Sequence, residues 1–172
     1  MFRWFESRID PYPPSEPTQP PKGLFAFCLH YMHGAKLPLA GMTALTTAIA
    51  VAEITLFGFL GNVVDWLASA DPATFLETEW PFLLGMAAFI LIVVPGLSLL
   101  SALTIHQTLL GNFPQRIRWM AHRYLIRQSM SYFQDEFAGR IATKVMQTAL
   151  AVRETVMKLL DVSNYVLVYF LG

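Results

Sequence analysis

The basic residues of this chain leave a wide gap, and that gap limits the possible folds more than any other feature. No Lys or Arg lies between Lys36 and Arg116. Two apolar runs fill most of it, Leu37–Val64 with Glu53 as its one charge, and Trp80–Gln115 with no Asp, Glu, Lys or Arg. A helix of about 20 apolar residues crosses the roughly 30 Å hydrocarbon core of a bilayer. The sequence therefore predicts an all-α, multi-pass integral membrane protein.

The composition agrees with this prediction and argues against several other classes. Hydrophobic residues make up 55% of the chain and charged residues 14%, whereas soluble domains carry about a quarter charged residues. The formal net charge is zero, so nucleic-acid binding is not indicated. The single cysteine, Cys28, excludes an internal disulfide. Cys28, His30 and His33 have metal-ligand chemistry, but they do not share one face of a short helix, so no metal site is predicted.

The signs of the charges predict the orientation. The stretch between the two apolar runs is acidic and has no Lys or Arg, while the segments on both flanks are basic. Because Lys and Arg stay on the cytoplasmic side, we expect both flanks inside. The prediction places helix 1 at about 37–65, an outer loop at 66–79, and helix 2 at about 80–123, with its end reaching into the cytoplasm.

The N-terminal segment, 1–36, divides into two parts. Pro11–Pro21 is too rich in proline for a helix or sheet and predicts an extended, polyproline-like tether. We interpret it as a spacer, with a ligand for a partner protein as the alternative. Residues 23–34 are aromatic, too short to span, and predict a helix along the cytoplasmic membrane interface.

Four arginines follow the second apolar run and form a basic cluster just inside the membrane: Arg116, Arg118, Arg123 and Arg127. Contact with anionic lipid headgroups is the usual reason for such a cluster. Whether helix 2 breaks or bends at nearby Pro114 is open from the sequence.

The last segment of the chain predicts one more helix. Apolar residues recur at steps of three and four at Ile141, Val145, Ala149, Val152, Val156 and Leu159. The pattern merges into the apolar run from Tyr165, which is too short to span. We therefore expect this chain to be the N-terminal piece of a longer protein.

Glu53 is the main candidate for chemistry inside the membrane. A charged residue in the middle of a spanning helix costs roughly 2.5–3.5 kcal/mol on insertion scales. Such a residue faces a protein interior or a watery cavity. Two interpretations stay open: a group that contacts the substrate or an ion in a translocation path, and an interhelical hydrogen bond that fixes packing.

No motif for nucleotide hydrolysis is present. The chain lacks the Gly-x-x-x-x-Gly-Lys-Ser/Thr phosphate loop, the nucleophile elbow and His-Glu-x-x-His. This chain alone is therefore predicted not to be an enzyme, and no cofactor is expected in it.

The stretch from Arg123 to Val145 resembles the first intracellular loop of ABC exporters of the multidrug and lipid type. In that family a short helix precedes Phe-Phe-Asp, then four variable residues, a glycine and a basic residue. Here Tyr132-Phe133-Gln134 matches the triplet, Gly139 the glycine and Lys144 the basic position. Gln134 replaces the Asp, with Asp135 as a candidate substitute, and Thr148 replaces a later Asp.

The resemblance implies the fold and the partners. Residues 37–172 would be part of a six-helix exporter transmembrane domain, with long helices entering the cytoplasm, a coupling loop at 124–139 and helix 3 beginning at 140. A nucleotide-binding domain with ATP and Mg would follow. The implied partners are that domain, the lipid bilayer, a second half-transporter (identical or different), and a transported small molecule, lipid or peptide. A bacterial inner (plasma) membrane is implied.

The resemblance also implies how the loop works. Tyr124–Ser131 would be a coupling helix that docks on the ATPase domain, Phe133 would pack the turn, and Gly139 would permit the reversal into helix 3. The implied coupling residues are Tyr124, Leu125, Arg127, Gln128, Met130, Phe133 and Gly139. The alternative for this loop is an ordinary solvated hairpin. The alternative for the whole chain is a small two-span scaffold or anchor without transport activity.

Overall fold

The computed structural model describes residues 3–16, 18–69, 75–135 and 137–171, and all regular structure in these ranges is helical. Two π-helical turns, Phe89–Val93 and Thr104–Leu109, join three of the helices end to end. The α-helices are α1 (Arg3–Glu6), α2 (Leu24–Met32), α3 (Lys36–Ser69), α4 (Phe75–Ala88), α5 (Val94–Leu103), α6 (Leu110–Leu125), α7 (Met130–Asp135) and α8 (Ala138–Leu171).

Two of these helical stretches are long and apolar enough to cross a membrane, by length and composition: Lys36–Trp66 and Glu79–Leu125. Helix α3 runs past the predicted end of helix 1, to Ser69. Helix α4 begins at Phe75, before the predicted start of helix 2, so Pro81 lies inside it. Leu76, Glu77 and Glu79, which favour helix, precede Pro81. The predicted outer loop at 66–79 thus contracts, and its centre, 70–74, lies outside the described residues.

The helix from Phe75 to Leu125 is continuous, which settles the question of a break at Pro114. Pro114 lies inside α6, and a π-helical turn at Thr104–Leu109 comes directly before that helix. A second π-helical turn, Phe89–Val93, ends just before Pro95. Proline lacks the backbone N–H and its ring crowds the preceding turn. Wider π turns accommodate such irregularities inside a continuing helix.

Side-chain contacts define how the three long helices run. Phe59 of α3 packs edge-on against Phe82 and Phe89, and Trp66 packs against Phe82, so α3 and the α4–α6 helix are antiparallel. Helix α8 runs parallel to α3, because Thr47 and Glu53 meet Asn164 and Tyr169 in the same order. The chain therefore forms an up-down-up arrangement.

The packed core lies at one end of this arrangement, where α2, the start of α3, α6 and α8 meet the N-terminal segment. Phe113 is 0% exposed and Ile117 is 1% exposed, one helical turn apart on α6. They pack with Ile9 from the N-terminal segment. Apolar residues at spacing four on one helix face form such a stripe. The remaining buried members are Tyr31, Ala35, Leu39, Met42, Leu109, Ala149, Val152 and Val156.

Helix α2 lies where a short helix was predicted, and helix α8 has the predicted repeat with one exception. The predicted helix at 23–34 is α2, which turns Tyr31 inward and leaves Phe25 75% exposed. Helix α8 begins at Ala138 and buries Ile141, Ala149, Val152 and Val156. Leu159, predicted to share that stripe, is 51% exposed, and its neighbour Leu160 packs against the core instead.

Candidate functional site

The candidate coupling loop is a hairpin formed by the end of α6, a turn at 126–129, the short helix α7 and the start of α8. The Ile126 N–H donates to the His122 carbonyl over 3.1 Å, and the Gln128 N–H donates to Leu125 over 2.9 Å. The Gln128 side-chain amide also donates to the Tyr124 carbonyl over 3.2 Å. Tyr124 and Leu125 therefore end α6, while Arg127 and Gln128 form the turn.

The helix predicted at 124–131 is wrong in position, since the short helix is Met130–Asp135. A serine lies at the new boundary. Ser129 immediately precedes α7, its carbonyl accepts from the Tyr132 N–H over 3.1 Å, and its Oγ lies 2.9 Å from Ser131 Oγ. Serine favours the position just before a helix over the helix interior. The break therefore falls at 126–129, and the new helix starts after Ser129.

The hairpin encloses an open apolar cavity of about 400 Å³ between α6, α7 and α8. Phe133 lies at its wall, 40% exposed, and packs edge-on against Tyr132 with ring centroids 5.5 Å apart. Met130 is 76% exposed at the tip. The other lining residues are His122, Leu125, Ile126, Ala138, Ile141, Ala142, Val145 and Met146.

Gly139 does not have the role implied for it. It lies in the first turn of α8, and Gly34 is the one glycine with positive φ among the described residues. A Cβ at Gly139 would lie 2.8 Å from Cε1 of Phe137, a side chain that is 78% exposed. Gly139 therefore makes room for an aromatic ring and does not turn the backbone.

Glu53 has a partner on α8. The Tyr169 hydroxyl donates to Glu53 Oε2 over 2.6 Å. Glu53 also borders a small cavity of about 80 Å³ with Val94, Leu97 and Ser98 of the neighbouring helix. The interhelical hydrogen bond expected under the packing interpretation is thus present in the structure.

A second polar contact, which the sequence analysis did not predict, joins α3 and α8. The Thr47 hydroxyl lies 2.8 Å from Asn164 Oδ1, and Asn164 Nδ2 lies 3.5 Å from the Thr43 carbonyl. Side-chain hydrogen bonds of this kind are a normal way to join helices in lipid. Asn164 could have indicated this contact, since it is a polar residue inside an otherwise apolar pattern.

The proline-rich segment is bound to α6, so the spacer interpretation is wrong for its first half. We call residues 9–16 the strap. Trp119 Nε1 donates to the Pro13 carbonyl over 3.2 Å, and the Tyr12 ring packs edge-on against Trp119 at 5.3 Å. Arg123 NH1 reaches the carbonyls of Pro13, Pro14 and Ser15 at 3.3, 2.9 and 2.7 Å. The strap forms neither helix nor strand, as predicted, but it is not free.

The tip of the strap forms an ion pair at the hairpin. Both guanidinium NH groups of Arg127 bind the Glu16 carboxylate, one of them over 3.0 Å. The hydrogen bond and the charge of Arg127 hold the pKa of Glu16 below its usual value of 4.5. The same contact raises the pKa of Arg127. Both groups therefore stay charged at neutral pH.

Arg116 joins the strap to the turn between α2 and α3. It is 9% exposed, and it donates to the Asp10 carbonyl over 2.8 Å and the His33 carbonyl over 3.2 Å. Its guanidinium lies against Gly34, whose φ is +90°. Arg116, Arg123 and Arg127 thus bind protein groups, a role that the sequence did not predict for them.

Within the ranges that the structure describes, no group of three or more His, Cys, Asp and Glu residues is arranged to hold a metal. The ring of His30 packs edge-on against Tyr31. His33 contributes its carbonyl to Arg116. Cys28 is a half-buried free thiol beside the core.

Comparison with known proteins relates the chain to an ABC transporter component. A Haemophilus influenzae protein described as an uncharacterized ABC transporter ATP-binding protein is 48% identical over 171 residues. The matched region covers 99% of this chain and 28% of that relative, so the chain spans less than a third of the relative's length. No family model matches the chain. No solved structure matches it either.

Proposed function

We propose that this chain is part of the transmembrane domain of an ATP-driven ABC exporter and carries its first coupling hairpin. The similarity of nearly the whole chain to an ABC transporter ATP-binding protein is the observation that carries the proposal. This chain has no phosphate loop. We therefore assign it a part of the transporter other than the nucleotide site, and we place ATP and Mg in a nucleotide-binding domain.

The exposure of the two apolar helices supports a place in the membrane. The most apolar stretch of the α4–α6 helix buries none of its residues within this chain. Leu91 is 73% exposed and Ile92 is 69% exposed. An apolar surface of this extent marks contact with lipid or with other helices. The remaining helices of a six-helix domain, and a second half-transporter, would cover part of it.

The charge pattern supports the orientation that we propose. The packed core, the strap and the hairpin all lie at the end of the helices that carries the arginines. Lys and Arg stay on the cytoplasmic side of a membrane. The N-terminus and the hairpin would therefore face the cytoplasm, where an ATPase domain is available.

The hairpin tip supports a docking role. Ile126, Met130 and Phe137 are 63%, 76% and 78% exposed around the turn and α7. Large apolar side chains at an exposed tip outside the apolar spans mark a protein interface. A nucleotide-binding domain docked there would pass its motion to α6 and α8, which extend from the hairpin to the spans.

The coupling role is tested in the full-length transporter with substitutions at the tip. Phe133→Ala and Met130→Asp should lower transport per ATP hydrolysed, because each changes the apolar docking surface. Leu150→Ala is the matched control, since Leu150 is an exposed apolar residue of α8 outside the hairpin. ATP hydrolysis and transport are measured on the same vesicles. Normal coupling in both tip variants would refute the assignment.

For Glu53 we propose the packing role. Hydrogen bonds between membrane helices average about 0.6 kcal/mol and reach about 1.7 kcal/mol. Glu53→Gln keeps an acceptor for Tyr169, so transport and thermal stability should stay near normal. Glu53→Ala and Tyr169→Phe should both lower thermal stability by a similar amount. Loss of transport in Glu53→Gln, with normal transport in Tyr169→Phe, would show that the charge of Glu53 serves the substrate instead.

A further inference from the structure

One face of α6 carries the donors that bind the strap. Arg116, Trp119 and Arg123 follow one another on α6 at steps of three and four, so they share that face, and Arg127 follows in the turn directly after the helix. The strap lies along it in the same direction as the helix. Asp10 meets Arg116, Pro13 meets Trp119, and Glu16 meets Arg127. The contacts therefore follow the same order along the strap and along the helix, as they do for a peptide ligand bound along a helix face.

The chemistry of the two partners is complementary. Prolines offer carbonyl oxygens but no backbone N–H. Arginine and tryptophan side chains offer N–H donors and no acceptor. Three consecutive carbonyls, from Pro13 to Ser15, converge on one nitrogen of Arg123. The face therefore recognises a proline-rich segment in the manner of polyproline-binding domains, but within one chain.

The two ends of the strap are held with different strength. Ile9 is 1% exposed in the core, and Pro13 is buried. At the other end, the Glu16 side chain is 75% exposed and that of Arg127 is 47% exposed. Exposed ion pairs contribute little to stability and are screened by salt. The tip can therefore detach while the Ile9 end stays anchored.

The tip binds at the turn that joins α6 to α7. Arg127 belongs to that turn, and its N–H donates to the Tyr124 carbonyl over 3.3 Å. We propose that the strap is a releasable latch on the hairpin. With the tip bound, the turn is held against the end of α6, and with the tip released the hairpin moves independently. This regulation rests on the coupling function proposed above and acts on the same hairpin.

Hydrogen exchange on the full-length protein in lipid nanodiscs tests the latch. The reporters are the hydrogen-bonded amides of Ile126, Gln128 and Tyr132 in the hairpin. Arg123→Ala removes the side chain that binds three strap carbonyls. Exchange of the hairpin amides should become about tenfold faster, because bonds from charged donors that restrain the turn are lost.

A control variant and a charge exchange show whether the faster exchange comes from loss of the strap contact. Arg118→Ala is the matched control on α6, because Arg118 Nε has no hydrogen-bond partner within the described part of the chain. Its hairpin exchange should stay at the wild-type rate. Glu16→Arg should speed hairpin exchange severalfold, and adding Arg127→Glu should restore it by re-forming the ion pair with its charges exchanged.

Two results would overturn the latch. In the first, the strap amides exchange faster in Arg123→Ala while the hairpin amides keep the wild-type rate. In the second, neither region responds. The measurement needs neither ATP nor substrate, so its outcome is separate from that of the uncoupling experiment on Met130 and Phe133.

Discussion

Gly34→Ala should destabilise the chain more than any other glycine-to-alanine change with a described environment. The φ of Gly34 is +90°, and a Cβ there would lie 2.4 Å from Nη2 and 2.5 Å from Cζ of Arg116. The left-handed backbone costs a residue with a side chain roughly 1–2 kcal/mol. Displacing the guanidinium also costs at least one hydrogen bond from a charged donor, about 1.5–3 kcal/mol. We expect a loss of about 2.5–5 kcal/mol.

Thermal unfolding of the purified chain in detergent, followed by circular dichroism, measures this loss. For a chain of this length, the midpoint should fall by about 10 °C. Gly41→Ala is the control, because nothing lies within 4 Å of a Cβ at Gly41 and its φ is not positive. It should be neutral or slightly stabilising, since alanine favours a helix.

A double-mutant cycle with Arg116→Ala separates the two causes of the loss. In the Arg116→Ala background, Gly34→Ala should cost only the backbone term of about 1–2 kcal/mol. An equal cost of Gly34→Ala in both backgrounds would refute the clash with Arg116. The close contact between the guanidinium and Gly34 would then have no energetic role.

Two more predictions concern the core and the strap tip. Phe113→Ala should destabilise the chain by about 3–5 kcal/mol, because Phe113 is fully buried. Unfolding in detergent measures this loss of stability. A loss below about 1 kcal/mol would contradict the assignment of Phe113 to the core. The ion pair of Glu16 with Arg127 should bind the strap tip fully above pH 4.5 and weaken as the pH falls through the lowered pKa of Glu16. In a variant that keeps Trp119 as its single tryptophan, the fluorescence of Trp119 would follow the release of the strap tip. Glu16→Gln should abolish this pH dependence.

The long helices were predictable because their signal is local. An apolar run of lipid-spanning length needs no information about its neighbours, and the repeat on α8 identified Ala149, Val152 and Val156 before any contact was known. The errors fell where local preferences compete. The short helix of the hairpin starts after Ser129, at Met130–Asp135, and α4 starts at Phe75, before Pro81.

Binding of the strap was not predictable in the same way. Trp119 and Arg123 donate to backbone carbonyls, and every residue has a carbonyl, so the acceptor leaves no trace in the sequence. Only part of the donor side was visible in the sequence, as the cluster of arginines after the second apolar run. For Glu53 the need for a partner was evident, but Tyr169 is 116 positions away, and several polar residues of α8 could have met that need.

The position of the core explains why the strap and the hairpin belong together. Ile9 and Phe113 are buried where α2, α3, α6 and α8 converge, whereas the most apolar stretch of the Glu79–Leu125 span buries none of its residues within this chain. The tight packing that this chain makes by itself is therefore at the arginine-rich end. Arg116 fastens the strap to that core, and Arg127 fastens its tip to the hairpin turn. Under the coupling function proposed above, a force applied at the hairpin would meet this packed core first, and α6 and α8 would carry the displacement on to the spans.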